Sequence, residues 1–389
     1  APDALAQKHP MIHWSEAGET RSARWRSESG NPPPGKVVIA DDQTSADAAY
    51  RLARNGTALL WRGDFQNARQ LLQALTRRVE KPPHQPAAKT AARSAWGEPK
   101  KSLLEAFQQQ RQQQARRAQT LGMLLLPLDA DYSVPLRRAP DLRQACTAAY
   151  GAVDPSHTGA SLVSLRELLG LIGAFEWRKK GVPVAALGAR IHPHYGVFAP
   201  IRGEYVDLLA NAPLPDTALA FDIGTGTGVL AAVLAKRGVA SVLATDQDAR
   251  ALACARENLG KLGFAKQVEV IEADLFPPGR AGLIVCNPPW LPAQPSSAIE
   301  HAVYDPDSRM LLGFLNGLAA HLTPNGEGWL ILSDLAEHIG LRSRAELLAA
   351  FEAAGLKVIA RSDVRPQHPR AADQTDPLHR ARAAEVTSL

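Results

Sequence analysis

The sequence predicts an α/β protein, in which a mainly parallel sheet carries helices on both faces and follows a smaller α/β unit. From about residue 216, near-continuously apolar segments alternate with helical patterns, as is typical of strands buried on both faces. Helical crossovers between successive strands make those strands parallel. The last apolar segments, 356–364 and 383–389, have no helical pattern between them, which favours an antiparallel pair at one edge. The predicted strands of the main sheet are 218–223, 241–246, 268–272, 282–287 and 328–333.

The front of the chain has a different pattern. Residues 1–35 are polar and end in a proline-rich stretch, so we expect an irregular lead-in. Residues 82–101 are rich in Pro, Ala and Lys and predict a linker. Helical patterns follow at 102–122 and 141–180, with a strand at 123–129 between them. A strand–helix–strand–helix order, which predicts a small α/β unit, occupies 35–42, 44–56, 57–61 and 65–79.

Charge is unevenly distributed along the 389 residues. The net charge is +5, yet residues 1–120 hold 19 Lys and Arg against 11 Asp and Glu, a net +8, which leaves −3 for the remainder. A basic front end suits a polyanionic partner such as RNA. It equally fits a surface that is merely basic, and charge alone does not separate the two interpretations.

The sequence carries no recognisable membrane or export signal. No apolar run reaches the eighteen or so residues that span a bilayer, and the start lacks the basic and apolar regions of a signal peptide. Cys146, Cys254 and Cys286 are far apart and form neither a CxxC pair nor a disulfide framework. We therefore expect a cytoplasmic location and no membrane partner.

The strongest functional signal is "DIGTGTG", which follows the first strand of the main sheet. Gly224, Gly226 and Gly228 alternate between the strand and a helix, where residues without a Cβ let the backbone turn tightly and approach a ligand. Alone, this pattern is also compatible with a plain turn or with an enzyme that binds a nicotinamide cofactor. The Gly-x-Gly-x-Gly spacing is looser than the usual nicotinamide pattern and disfavours that chemistry.

Each of the first three strands has a carboxylate at its end or just after it. Asp222 ends the first strand, and Asp246 ends the second, eighteen residues after Gly228. A carboxylate at the second position can accept hydrogen bonds from both hydroxyls of a ribose. Asp274 follows the third strand, where a carboxylate or its neighbouring backbone can recognise an adenine amino group. Each acid alone fits a solvated loop, but three acids at the ends of three successive strands predict a nucleoside site.

The fourth strand ends in Asn287, Pro288, Pro289 and Trp290, and proline cannot continue a sheet ladder. An amide or aromatic amino nitrogen is a poor nucleophile, because its lone pair is delocalised. Two acceptors aimed at its N–H bonds turn that lone pair out of conjugation. The Asn287 side-chain oxygen and the Pro288 carbonyl are the predicted pair, held in advance by the prolines. Trp290 can stack on a flat amide or base. The alternative is a turn that caps a buried strand, with Trp290 in the core.

The segments DIGTGTG, ATDQD, EADLF and NPPW, in that order, resemble the class I S-adenosylmethionine-dependent methyltransferases over about residues 190–389. The branch is the one with an (Asn/Asp)-Pro-Pro-(Tyr/Phe/Trp) motif. The resemblance implies a Rossmann-like seven-stranded methyltransferase sheet whose last strand is antiparallel, with S-adenosyl-L-methionine as cofactor. It implies that Asp222, Gly224, Thr225, Gly226 and Gly228 hold the methionine part, that Asp246 holds the ribose, that Asp274 and Leu275 hold the adenine, and that Asn287 also belongs to the cofactor-binding residues.

The resemblance also implies a division of the chain. Residues 1–185 would form an accessory, substrate-recognition domain, and residues 186–389 the catalytic domain. The segment before the catalytic sheet resembles one that packs over the cofactor in protein-glutamine and ribosomal RNA methyltransferases. Its candidate residues are Phe198, Pro200, Arg202 and Glu204. We expect no metal site, because the His-x-His pair at 192 and 194 is more often a surface feature than a ligand set.

Three planar nitrogens fit this motif: the glutamine side chain, the guanine amino group and the adenine amino group. The basic α/β front end resembles the layout of ribosomal RNA guanine-N2 methyltransferases with paired domains, so the expected role is methylation of ribosomal RNA. Those enzymes usually have Phe-His after the prolines, whereas this chain has Trp290-Leu291. Protein-glutamine N5 methyltransferases are therefore the alternative. A small-molecule N-methyltransferase and a catalytically silent binding module are less favoured.

Overall fold

The computed structural model describes residues 9–80, 102–215, 218–295, 299–367 and 369–389. Two compact units are present. The N-terminal unit comprises Ala1–Lys101 and Gln109–Phe175, and the C-terminal unit comprises Ser102–Gln108 and Glu176–Leu389. The expected linker, 82–101, lies outside the described residues, and the functional boundary at 185/186 stays a prediction. Every helix among the described residues is too short or too polar to cross a membrane.

The N-terminal unit is built on a six-stranded mixed sheet with the strand order β1-β2-β6-β5-β4-β3. The predicted β-α-β-α pattern is present, and its two strands pair in parallel. The strands are β1 (Met11–Glu16), β2 (Glu19–Arg26), β3 (Lys36–Ala40), β4 (Thr57–Trp61), β5 (Leu124–Leu128) and β6 (Ser161–Ser164), and the helices are α1 (Ala46–Arg54), α2 (Phe65–Glu80), α3 (Leu103–Leu121), α4 (Arg143–Tyr150) and α5 (Leu165–Lys180). The first residues of α3 and the last residues of α5 are assigned to the C-terminal unit.

The expectation of an irregular lead-in over residues 1–35 is wrong for the described part, because β1 and β2 form an antiparallel hairpin. The two-residue turn is Ala17-Gly18, and both residues have positive φ (53° and 80°), as hairpin turns of this length favour. Ile12 and Trp14 alternate with exposed residues and are buried. The sequence of β1 does alternate between apolar and polar residues, but its polar residues led us to expect a loop.

The C-terminal unit holds a five-stranded, fully parallel sheet with the order β11-β10-β9-β12-β13. Its main elements are β9 (Leu219–Ile223), α7 (Val229–Lys236), β10 (Ser241–Asp246), α8 (Ala249–Lys261), β11 (Val268–Glu272), β12 (Ala281–Cys286), α9 (Arg309–His321) and β13 (Leu322–Leu330). Before them come β7 (Val182–Val184), β8 (Ala189–Ile191) and α6 (Glu204–Asn211). After them come β14 (Leu332–Ser333), α10 (Leu335–Ile339), α11 (Arg344–Ala353), β15 (Asp363–Val364), α12 (His379–Ala384) and β16 (Thr387–Ser388).

Both faces of the parallel sheet are buried, which explains its continuous apolar strands. Leu283 and Val285 of β12 pack in one apolar cluster with α7, whereas Ile284 and Cys286 pack in another with α9. Alternate residues of a strand point to opposite faces, so the two clusters cover the two sides of the sheet. This packing fixes the strand ends that carry the candidate functional residues.

The end of the chain confirms the antiparallel pairing and corrects two details. β16 pairs antiparallel with both β14 and β15, in a separate three-stranded sheet that continues from the end of β13. The implied count of seven strands in one sheet is not confirmed. A short helix, α12, stands between the last two strands, where no helix was expected. Of the predicted strand 356–364 only Asp363 and Val364 are extended, and Ile359 is 72% exposed.

Candidate active site

A cavity of about 480 Å³ opens at the carboxyl ends of β9, β10 and β12. β9 lies between β10 and β12, so the strand order reverses there and the loops after β9 and β12 diverge around a crevice. The predicted residues that line the cavity are Gly224, Thr225, Gly226, Asp246, Leu275, Asn287, Pro288, Pro289 and Trp290. Asp222, Gly228 and Asp274 are not among the described residues that line it.

The glycine turn connects β9 to α7 and needs its glycines for two different reasons. Gly224, Gly226 and Gly228 have φ of 70°, 54° and 84°, in the left-handed region that favours glycine. A Cβ on Gly228 would lie 3.3 Å from the backbone of Ala255, so this glycine lets α7 and α8 pack closely. A Cβ on Gly226 would meet nothing within 4 Å, so this glycine presents bare backbone to the cavity.

Asp222 lies beneath the turn and is 1% exposed. Its Oδ2 accepts hydrogen bonds from Thr225 Oγ1 (2.8 Å) and from the backbone N–H of Ala231 (3.2 Å). Its Oδ1 is buried without a hydrogen-bond partner among the described residues. Burial raises the pKa of Asp222 to about 6, against the lowering effect of those two hydrogen bonds. Asp222 therefore holds the turn from below and retains one unused acceptor.

Asp246 ends β10 and reaches the turn from the side. Its Oδ2 accepts from the backbone N–H of Gly226 (3.0 Å), and its Oδ1 accepts from the backbone N–H of Asp248 (3.0 Å). Burial raises the pKa of the Asp246 carboxyl, and these backbone hydrogen bonds oppose that rise. The carboxylate lines the cavity, so it both connects two loops and faces a ligand.

Asp274 and Leu275 are adjacent in the chain but differ in their position relative to the cavity. The Asp274 side chain is 65% exposed, accepts a hydrogen bond from Gln247 Nε2 (2.6 Å) and lies 3.6 Å from Arg309 Nη2. Leu275 has a φ of 70°, and its carbonyl accepts from Thr245 Oγ1 (2.6 Å). Leu275 lines the cavity, and its Cδ1 lies 2.6 Å from where a Cβ of Gly313 in α9 would be. Leu275 thus lines the site, whereas Asp274 lies at the surface beside it.

The NPPW turn after β12 forms the opposite wall of the cavity. Pro288 is buried, and Asn287 and Trp290 are half-buried. The indole Nε1 of Trp290 donates a hydrogen bond to Asn287 Oδ1 over 2.9 Å. Asn287 therefore has a defined orientation at the strand end. This internal hydrogen bond was not foreseen, since the sequence suggested either stacking or a place in the core for Trp290.

Sequence reasoning also missed Asp305 and Met310. Asp305 is buried, and its carboxylate accepts from the backbone N–H groups of Met310 (3.0 Å) and Leu311 (3.2 Å) at the start of α9. Burial raises its pKa, whereas these hydrogen bonds lower it. Met310 lines the cavity, and its Cε is 2.5 Å from where a Cβ of Gly224 would be. The phrase "YDPDSRM" carried a helix-start signal that could have identified Asp305.

The segment before the sheet contributes less than the resemblance implied. Phe198 lines the cavity and is 38% exposed. Arg202 lies 3.6 Å from the buried Glu385, and Glu204 Oε1 accepts from the backbone N–H of Gln367, so both contact the end of the chain. His194 pairs with Glu257 (2.7 Å). No group of three potential metal-binding side chains occurs among the described residues.

Comparisons with known proteins find similarity to methyltransferases. Residues 189–353 match the family described as methyltransferase small domain. A release factor glutamine methyltransferase of Cereibacter sphaeroides is 34% identical over 179 residues, covering 42% of this chain and 61% of the relative. A tRNA1(Val) (adenine(37)-N6)-methyltransferase of Bacteroides fragilis is 31% identical over 156 residues, covering 36% of this chain and 65% of the relative. A solved methyltransferase from Pyrococcus furiosus is 17% identical with a TM-score of 0.36, covering 56% of this chain and 95% of the other.

Residues 189–353 thus match the methyltransferase small domain family, and they include the whole five-stranded parallel sheet. The cofactor of such a domain is S-adenosyl-L-methionine. The chain covers 61% and 65% of the length of the two relatives, so the names of those relatives describe their own substrates.

Proposed function

We propose that the protein is an S-adenosylmethionine-dependent N-methyltransferase that acts in the cytoplasm on a planar amino or amide nitrogen of RNA, with ribosomal RNA as the expected substrate. The observation that carries the proposal is the position of Asn287. Its amide lies at the end of β12, in the same cavity as the glycine turn and Asp246. A neutral acceptor beside a nucleoside site suits transfer to an N–H nitrogen.

The residues present fit the cofactor. The volume of about 480 Å³ is in the usual range for small-molecule sites. The bare backbone at Gly226 can approach the methionine part, and the Asp246 carboxylate can accept from the ribose hydroxyls. Leu275 and Ala251 offer apolar surface for the adenine ring. When bound, the cofactor supplies a methyl group on a positively charged sulfur.

The chain's own contribution is to orient the nucleophile. Asn287 Oδ1 accepts one N–H of the substrate nitrogen and the Pro288 carbonyl accepts the other, which turns the nitrogen lone pair toward the methyl group. Trp290 supports the flat group by stacking. A strong general base is not required, because the nitrogen becomes acidic once it carries the methyl group and then releases its proton to water.

The N-terminal unit supports RNA as the substrate class. A cavity of about 420 Å³ in this unit is lined by Arg21, Arg24, Arg62 and His157, and none of the described residues that line it is an acid. Arg21 and Arg62 are paired with Glu16, but Arg24 Nε and His157 Nε2 are buried without a partner among the described residues. Cationic groups of this kind suit phosphates of a nucleic acid backbone.

A glutamine side chain is the second candidate substrate. The observation that favours it is the 34% identity to a release factor glutamine methyltransferase over 179 residues. A primary amide presents the same two N–H bonds to Asn287 and Pro288 as a base amino group does. The two candidates differ in the macromolecule that carries the nitrogen.

Labelled methyl transfer separates these candidates. Purified protein and S-adenosylmethionine with a radiolabelled methyl group are added to a lysate of cells that lack the protein, and the product is treated with nuclease or protease. We expect nuclease-sensitive label. Protease-sensitive label would contradict RNA as the substrate and favour a glutamine side chain of a protein. Absence of label, with S-adenosylhomocysteine still bound in a calorimetric titration, would contradict the enzymatic function.

A further inference from the structure

The hydrogen bond between Trp290 and Asn287 involves the atom to which the proposed function assigns the substrate. The indole Nε1 lies 2.9 Å from Asn287 Oδ1. An indole N–H only donates, so the end of the amide that faces it must be the oxygen. The amide oxygen has two lone pairs, and one stays available for a substrate N–H.

We propose that Trp290 is a positioning residue whose ring N–H fixes the orientation of the Asn287 amide, while the same side chain lines the cavity that receives the substrate. The N–H lies in the ring plane, so donation to Asn287 and stacking on a substrate use different parts of the same side chain. This inference rests on the proposed N-methyltransferase function and adds a second role to the aromatic residue of the motif.

The surroundings hold the Trp290 ring in place. The ring packs against both apolar clusters of the C-terminal unit, one on each face of the parallel sheet. The backbone after it is anchored, because Leu291 N–H donates to the Val303 carbonyl (3.1 Å) and Asp305 N–H donates to the Leu291 carbonyl (2.8 Å). Asp305 in turn caps α9. The donor is therefore supported by packed structure on several sides.

The orientation matters because the two ends of an amide have opposite hydrogen-bonding character. Rotation of Asn287 by 180° about its last side-chain bond would aim N–H groups at the N–H bonds of the substrate. A carboxylate has no such problem, because both of its ends are acceptors. The need for Trp290 Nε1 should therefore vanish when Asn287 is replaced by aspartate.

This difference gives a kinetic test with labelled S-adenosylmethionine and total RNA from cells lacking the protein. Trp290→Phe keeps an aromatic face and removes the donor. We expect about a tenfold loss of kcat when Asn287 is present, as for loss of one hydrogen bond, with KM for RNA nearly unchanged. In the Asn287→Asp background the same substitution should cost less than twofold. Equal losses in both backgrounds, or a change confined to KM, would overturn the proposal.

A second readout does not depend on turnover. The seven tryptophans give seven indole N–H signals in protein labelled with ¹⁵N-tryptophan, and Trp290→Phe identifies the signal of Trp290. In Asn287→Ala that signal should shift and exchange faster with water, while the signal of the exposed Trp177 serves as the control and stays in place. An unchanged Trp290 signal would overturn the inference. Wild-type protein that binds cofactor and transfers no methyl group would instead overturn the proposed function, with the indole shift still supporting the contact.

Discussion

The two walls of the cavity are held in different ways. At the ends of β9 and β10, the carboxylates Asp222 and Asp246 accept hydrogen bonds from backbone N–H groups and so determine the shape of the loops. At the end of β12, a neutral amide is held by one indole and by two prolines that fix the backbone. Changes on the first wall should therefore disturb cofactor binding, whereas changes on the second should affect turnover alone.

The largest effect is expected at Asn287. Asn287→Ala removes an acceptor for the substrate N–H and should lower kcat by about 10³-fold, comparable to the loss of one preorganised polar group in other active sites. The dissociation constant of S-adenosylhomocysteine should change less than about threefold, because Pro288 and Pro289 still shape the turn. Calorimetry and methyl transfer on one preparation measure both. If Asn287→Ala weakened cofactor binding as much as it lowered kcat, the assignment of cofactor binding to one wall and turnover to the other would be wrong.

Asp222 should make folding stability depend on pH. Its pKa is 3.8 ordinarily and about 6 in the folded protein. The folded state thus binds the proton more tightly, and the resulting stabilisation is full below pH 3.8 and disappears as the pH rises through 6. Since one pKa unit equals about 1.4 kcal/mol, the change is about 3 kcal/mol. The free energy of unfolding of wild type minus that of Asp222→Asn, from urea titrations, should fall by this amount between pH 3 and 7. A flat difference would contradict the buried, unpaired Oδ1.

Asp246 and Asp274 form a matched pair of acids on the cofactor wall. Asp246→Ala removes a carboxylate that lines the cavity and supports the Gly226 N–H, so S-adenosylhomocysteine should bind about 30-fold more weakly. Asp274→Ala removes the same charge from a side chain that is 65% exposed and should change binding less than about threefold. Calorimetric titration of both variants tests this order. Equal losses of affinity in the two variants would show that Asp274 contacts the cofactor, as the resemblance implied.

The smallest effect is expected in the N-terminal unit. Arg24→Gln removes a guanidinium with an unpartnered Nε and should weaken RNA binding about fivefold at low salt, with one fewer counterion released. Arg69→Gln, on the exposed side of α2, is the control with the same change of charge. Filter binding at several salt concentrations gives both quantities. If the two variants weaken binding equally, net charge rather than the cavity attracts RNA.

Much of the parallel sheet could be predicted, because its inner strands β9, β10 and β12 are mostly apolar and buried. Asp246 and Asn287 lie at the cavity for that reason: the carboxyl ends of parallel strands meet at one edge of the sheet. Asp274 was harder to place, since a loop residue just after a strand can face the cavity or the solvent. Its neighbours Gln247 and Arg309 come from other elements, and no local sequence pattern announces them.

The contacts that were missed join residues through tertiary structure. Asp305 caps α9 from outside the helix, and its own backbone N–H donates to the carbonyl of Leu291, a residue of another loop. The hydrogen bond from Trp290 to Asn287 depends on a ring position set by packing against two apolar clusters. Patterns of hydrophobicity identify the elements, but the direction of a side chain at an element's end follows from what packs around it.

The identity of the methylated atom tests whether the protein transfers a methyl group to an amino nitrogen. Wild-type protein is incubated with S-adenosylmethionine that carries a trideuterated methyl group and with RNA from cells lacking the protein, and the RNA is digested to nucleosides for mass spectrometry. We predict one labelled nucleoside whose methyl group is on an amino nitrogen of the base, and none with Asn287→Ala. Label on a ribose oxygen or a base carbon would contradict the account of the cavity as a site for planar nitrogen.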